Sequence, residues 1–201
     1  MKKLLLILLC LPMIGFGQGW FQTYGGIPGI EYDGRHVEQT NDGGYIISGH
    51  ILYHDSGDTT ESYIMKTDSN GIVEWKKTYD GSGISPTYDG SGGSSRSFRI
   101  KKTSDGGYIS CGFKERFVQS QGEVRPFMHL IKINTLGDTI WTRNLGGDYA
   151  QDIQQTNDGG YIICGSDSTN AILVKTYANG FVEWTQNFIN IAFNVFFRRF
   201  I

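Results

Sequence analysis

Thr40-Asn41-Asp42-Gly43-Gly44-Tyr45-Ile46-Ile47-Ser48-Gly49 returns as Thr103-Ser104-Asp105-Gly106-Gly107-Tyr108-Ile109-Ser110-Cys111-Gly112, and again as Thr156-Asn157-Asp158-Gly159-Gly160-Tyr161-Ile162-Ile163-Cys164-Gly165. A second block follows each copy: Lys66, Gly71, Trp75, then Lys132, Gly137, Trp141, then Lys175, Gly180, Trp184, with spacings of five and four residues every time. Two blocks in the same order three times define an internal repeat, and such a repeat decides the architecture before any single residue is weighed.

The gaps between blocks vary, as loops do between fixed strands. From the block-one glycine to the block-two lysine they measure 17, 20 and 10 residues, and from tryptophan to the next threonine 20, 28 and 15. The longest has a local cause: Thr78-Tyr79-Asp80-Gly81-Ser82-Gly83 is repeated nine residues later from Thr87 to Gly92, a slipped duplication of the kind a surface loop tolerates.

Within one unit the residues read as four strands, near 35–40, 44–52, 62–67 and 72–78. Asn41-Asp42-Gly43-Gly44 and Asp68-Ser69-Asn70-Gly71 carry the residue types that accept positive φ in tight hairpins. Tyr45-Ile46-Ile47 and Ile72-Val73-Glu74-Trp75 have the aromatic and β-branched residues of strands. No helical period follows residue 18. The fold class is therefore all-β, a repeat of four-stranded antiparallel sheets forming a partial, three-blade β-propeller. The repeats run about 20–75, 76–141 and 142–184 within a mature part from 18 to 188.

One sheet cannot bury both of its faces alone, so neighbouring blades must stack. Trp75, Trp141 and Trp184 recur at one position, with Trp20 at the matching place before the first block. They are expected as packing residues between blades, as are Tyr45, Tyr108 and Tyr161. An open arc of three blades is expected to leave one bare face beside Tyr24 and another beside Phe188, and so to self-associate.

Residues 1–17 read as a signal peptide: Lys2 and Lys3 precede an apolar run from Leu4 to Leu11, and Gly15-Phe16-Gly17 places small residues for cleavage before Gln18. The run is too short for a membrane span. Loss of both lysines leaves 16 basic against 20 acidic side chains, a balance that argues against nucleic-acid or anionic-membrane partners. Glycine at 28 against proline at 4, clustered with Asp, Asn and Ser, indicates many turns rather than disorder.

The strings Thr-Asn-Asp-Gly-Gly-Tyr-Ile-Ile at 40–47 and Asp-Ser-Asn-Gly-Ile-Val-Glu-Trp at 68–75 resemble repeats of large secreted proteins of Bacteroidetes-type bacteria, many exported by the type IX system. The second block, at Asp68, Gly71 and Trp75, is also similar to the tryptophan-containing repeat of quinoprotein-type propellers. The resemblance covers roughly Trp20 to Phe188 and implies architecture and export more than activity. Residues 189–201 depart from it: Ile189-Asn190 stand where two glycines are due, and Phe193, Val195, Phe196, Phe197, Phe200 and Ile201 make an apolar tail. A closing strand and a frameshift or premature stop are the two readings. Truncation is favoured, since closed propellers use four to eight blades.

No catalytic, cofactor-binding or metal residue is assigned, and no cofactor is expected. His50 and His54 lie four apart beside Asp55 and Asp58, but that spacing makes a metal face on a helix, whereas this stretch reads as strand into loop. His36 and His129 have no repeated partner, and Asp68 starts like a calcium loop without its later glutamate, so it reads as a turn former. Cys111 and Cys164 share one repeat position and read as reduced core thiols rather than a disulfide. Two function classes stay open. One is an exported non-catalytic module binding a polysaccharide, protein or surface component; the other is a fragment of a propeller enzyme, quinoprotein-like or glycan-active.

Overall fold

The computed structural model describes residues 21–25, 30–54, 59–79, 94–118 and 122–188. The segment 1–17 expected to be a signal peptide, Trp20, Asp55, Asp58, most of the slipped duplication and the apolar tail lie outside them. Among the described residues twelve strands make three antiparallel meanders. The first sheet holds β1 (Ile30–Gln39), β2 (Tyr45–Tyr53), β3 (Thr59–Thr67) and β4 (Val73–Tyr79). The second holds β5 (Ser95–Lys102), β6 (Tyr108–Val118), β7 (Glu123–Ile133) and β8 (Thr139–Leu145), and the third β9 (Tyr149–Gln155), β10 (Tyr161–Asp167), β11 (Asn170–Thr176) and β12 (Val182–Phe188). Each sheet keeps its strands in chain order, which is the all-β, three-blade, propeller-like arrangement read from the repeats.

The block-one residues act together in the first hairpin of each sheet. Gly43, Gly106 and Gly159 adopt φ of +84°, +84° and +82°, the left-handed region that glycine enters without a Cβ penalty. The second glycine is fixed by space instead. A Cβ on Gly44 would lie 2.1 Å from the Thr67 carbonyl oxygen, on Gly107 2.3 Å from that of Ile133, and on Gly160 2.1 Å from that of Thr176. The glycine that ends each block faces a kink in the adjoining first strand. β1 has a register shift between Gly34 and His36 and β5 one between Ser97 and Arg99, while β9 meets its shift beside Gly165. The first shift explains why β1 begins at Ile30 and not near 35: Asp33-Gly34 reads as a turn in sequence but is a bulge inside a strand.

Strand alternation gives every sheet a forward and a rear face. Between the first two sheets, Ile46 and Ile64 meet Ile100, Tyr108, Ile131 and Ile133, with Trp75 packed against them. Between the second and third, Ile109, Cys111, Met128 and Leu130 meet Ile153, Tyr161, Ile163 and Val174, with Trp141 alongside. Each tryptophan lies on the glycine of the next sheet's third hairpin turn. A Cβ on Gly137 would stand 2.8 Å from the Trp75 ring, and one on Gly180 would stand 2.7 Å from the Trp141 ring. Trp141 also meets Tyr161 edge to face at 5.9 Å, and the Tyr79 hydroxyl donates to the Gly137 carbonyl at 2.7 Å.

Three expectations need correction. Trp184, which has no following sheet to lie on among the described residues, is 44 % exposed. Tyr45 is half-buried, unlike Tyr108 and Tyr161. The face beside Tyr24 is not bare: Tyr63 and Met65 are buried there with Tyr24, Ile30, Tyr32 and Tyr53 packed against them, and the Tyr24 hydroxyl donates to the Gly71 carbonyl at 2.6 Å. Tyr24 thus repeats on the first sheet what Tyr79 does on the second. Replacement of Trp75 or Trp141 by alanine is expected to cost about 3 kcal/mol in denaturant unfolding, and that of Trp184 less than about 0.5 kcal/mol in the isolated monomer.

Candidate functional site

A lysine stands near the end of the third strand in every sheet, on the forward face and almost out of contact with solvent: Lys66 at 5 %, Lys132 at 3 % and Lys175 at 8 % exposure. A buried ammonium requires a partner. The aspartate of the Asp-Gly-Gly turn supplies it, at 2.6 Å from Asp42 to Lys66, 2.9 Å from Asp105 to Lys132 and 2.8 Å from Asp158 to Lys175. The same carboxylates accept from the threonine two residues earlier and from the backbone N–H of the second glycine. One aspartate thereby closes the first hairpin and ties it to the third strand, which accounts for Thr, Asp and Lys at fixed places in both blocks.

Glu74 adds a second carboxylate to Lys66, and Glu183 does so for Lys175 at 3.2 Å. The second sheet has Ile140 at that position; Lys132 donates to the Ile133 carbonyl at 3.3 Å, as Lys175 does to the Thr176 carbonyl at 3.0 Å, but has no second carboxylate among its described partners. Between the first two sheets, the hairpin turns at 40–44 and 103–107 and the turn at 135–136 border a groove of about 540 Å³. Asn41, Asp42, Glu74, Trp75, Lys102 and Tyr108 face it. The Lys102 ammonium bridges the seam to the Asn41 side-chain oxygen at 3.3 Å. At the next seam the corresponding residues are Ser104 for Asn41, Ile140 for Glu74 and Gln155 for Lys102. The lysine–aspartate pair is common to all sheets, whereas the charged rim belongs to this groove.

The protonation states follow from the bonding. Hydrogen bonds from Lys66 and Thr40 hold the Asp42 carboxyl well below the usual carboxylate range. Burial alone would lower the Lys66 ammonium, but its bonds to Asp42 and Glu74 outweigh that and raise it. For Asp105, burial pushes upward, yet Thr103, Lys132 and the Gly107 N–H together bring it down to about 2.

The sequence candidates are placed apart. His50 is buried in β2 with its Nε2 3.8 Å from Asp33, while His54 is exposed and 3.1 Å from Glu31, so the two histidines serve separate carboxylates. Burial and the neighbouring Arg96 lower His50 to about 4, leaving it neutral at pH 7. Among the described residues no group of three His, Cys, Asp or Glu side chains is placed to hold a metal ion. The His129 Nδ1 lies 2.6 Å from the Asn144 side-chain oxygen across β7 and β8. Asp68 caps its turn, accepting from the Asn70 and Ile72 N–H groups at 2.8 Å. Cys111 and Cys164 are free thiols, Cys111 buried at the second seam and Cys164 half-buried on the forward face of the third sheet. No helix among the described residues is long and apolar enough to cross a membrane.

Comparison with protein-family models and with curated proteins returns no match.

Because the folded pKa of Asp105 is depressed, its stabilising contribution is complete above its unfolded value of 3.8 and is lost as pH falls toward about 2. Asp105→Asn is expected to flatten the acid limb of stability against pH over that window. It should also destabilise more than Asp42→Asn, since Lys66 retains Glu74 while Lys132 has no second carboxylate among its described partners.

Proposed function

We propose that this chain is an exported, non-catalytic binding module that takes a hydroxyl-rich ligand, a segment of polysaccharide, in the groove between its first two sheets. The observation that carries the reading is the state of the charged groups there. Asp42 is held ionised and Lys66 protonated far from neutrality, so neither is poised to move a proton near pH 7. What they offer is fixed hydrogen bonding: acceptors on Asp42 and Glu74 and donors on Lys102, beside the partly buried Trp75 ring. Acceptors and donors ranged around an aromatic surface suit the alternating polar and apolar faces of a sugar. The acidic balance of the chain supports a neutral ligand over a nucleic acid. The apolar amino-terminal run and the likeness to secreted repeats support export.

Glu74→Ile gives the first sheet the residue that the second already carries as Ile140, so the fold is expected to survive. Affinity electrophoresis through gels containing soluble plant, algal or bacterial polysaccharides should show retardation of the unmodified protein by at least one of them. Glu74→Ile should weaken that retardation about tenfold or more. Retardation by none, or equal retardation of the variant, would overturn the reading.

A further inference from the structure

The two formed seams follow one rule, and the open face of the third sheet carries half of it. At the first seam Trp75 lies on Gly137, and Lys77, two residues on, binds Asp138, the residue after that glycine, at 2.7 Å. At the second, Trp141 lies on Gly180, and Arg143 stacks 4.4 Å from the ring of Phe181, the residue after Gly180. A tryptophan and the side chain two places later thus grip the third hairpin turn of the next sheet. On β12 the corresponding pair is Trp184 and Gln186, with Phe188 in the place of Tyr79 and Leu145. Phe188 is 53 % exposed, and Ile162, Cys164 and Leu173 on the same face are half-buried.

The opposite end of the chain shows what this face fits. Its first sheet offers Gly71 at φ +80° followed by Ile72, an uncharged residue that requires no cation. Tyr24 now bonds that turn, and the sequence leading to it, Trp20-Phe21-Gln22, has the same Trp-x-Gln pattern as Trp184-Thr185-Gln186. Of that segment Phe21 is 89 % exposed, while Tyr24 packs against the Tyr63 and Met65 cluster and its hydroxyl donates to the Gly71 carbonyl, so an incoming Trp184 segment must displace one aromatic ring and one hydrogen bond there.

We propose that the forward face of the third sheet docks on the rear face of the first sheet of a second copy of this chain, with Trp184 to Phe188 replacing the Tyr24 segment on the Gly71 turn. The contact is head to tail, so it must either close or grow into a fibre. Closed propellers hold four to eight blades, and six is the only multiple of three in that range, so closure means two copies. By the repeat register, Cys164 of one copy comes against Gly34 of the other, as Cys111 comes against Ala150 at the second seam with its Sγ 3.8 Å from the carbonyl.

Sedimentation and light scattering of the purified protein test this, read together with the rate of Cys164 alkylation located by mass spectrometry. A species of twice the monomer mass is expected, with Cys164 labelling slowing as concentration rises through the association range. Trp184→Ala should weaken association by about thirtyfold or more and restore fast labelling. Tyr24→Phe, which removes the competing segment's hydrogen bond to Gly71, should tighten association by about two- to tenfold. Should the tryptophan variant not fold, Gln186→Lys combined with Ile72→Asp builds the Lys77–Asp138 pair into the new seam and should tighten the dimer about threefold at low salt. A monomer at every concentration, polydisperse aggregates that Trp184→Ala does not relieve, or Cys164 labelling indifferent to concentration would each overturn the proposal.

Discussion

A tryptophan ring lying on a glycine of the neighbouring sheet is the contact on which the rest of this structure depends. A four-stranded meander has two broad faces, and among the described residues no helix covers either, so each sheet is stable only against another. The ring brings a large apolar area to the outer part of the seam, where the β-branched core residues have run out. Only a residue without Cβ allows it to approach the turn, and that turn needs positive φ in any case. Gly137 and Gly180 therefore meet two demands at once, the turn's and the neighbour's. The spacing from glycine to tryptophan is fixed because the turns at Gly137 and Gly180 each receive one ring and launch the strand that carries the next.

The lysine–aspartate pair does the complementary work inside a sheet. A buried ammonium is destabilising unless its partner is held in place, and the aspartate is held by a threonine and a backbone N–H within its own hairpin. A sheet that folds with the wrong hairpin register leaves the lysine without a carboxylate, so the pair selects one register at each repeat. The groove at the first seam arises as a variation on this device. Glu74 and Lys102 add charge around a pair already satisfied, giving one seam a chemistry that its neighbour, with Ile140 and Gln155, does not have.

Much of this was legible in the sequence because it is local or repeated. The Asp-Gly-Gly turns, the strands beside them and the number of sheets follow from spacing and turn chemistry alone. The bulge at Gly34 was not, since its cause is the carbonyl facing Gly49 across the ladder, and the sequence around it resembles an ordinary turn. The groove was also hidden: Glu74 reads as an outward strand residue until β3 places Lys66 opposite Trp75 and beside it. Repetition even misled in one respect. It implied equal burial for every tryptophan, but burial belongs to the neighbour a residue meets, and Trp184 meets none among the described residues.

The most direct test of the central contact is a double-mutant cycle between Gly137 and Trp75, with Gly159→Ala as reference. Gly137 and Gly159 share the positive φ, at +77° and +82°, yet a Cβ on Gly159 would find no atom nearer than 3.9 Å. In denaturant unfolding, Gly137→Ala should destabilise by about 1–3 kcal/mol more than Gly159→Ala, and that excess should vanish in the Trp75→Ala background. Equal losses for the two glycines, or an excess that persists without the Trp75 ring, would contradict the account.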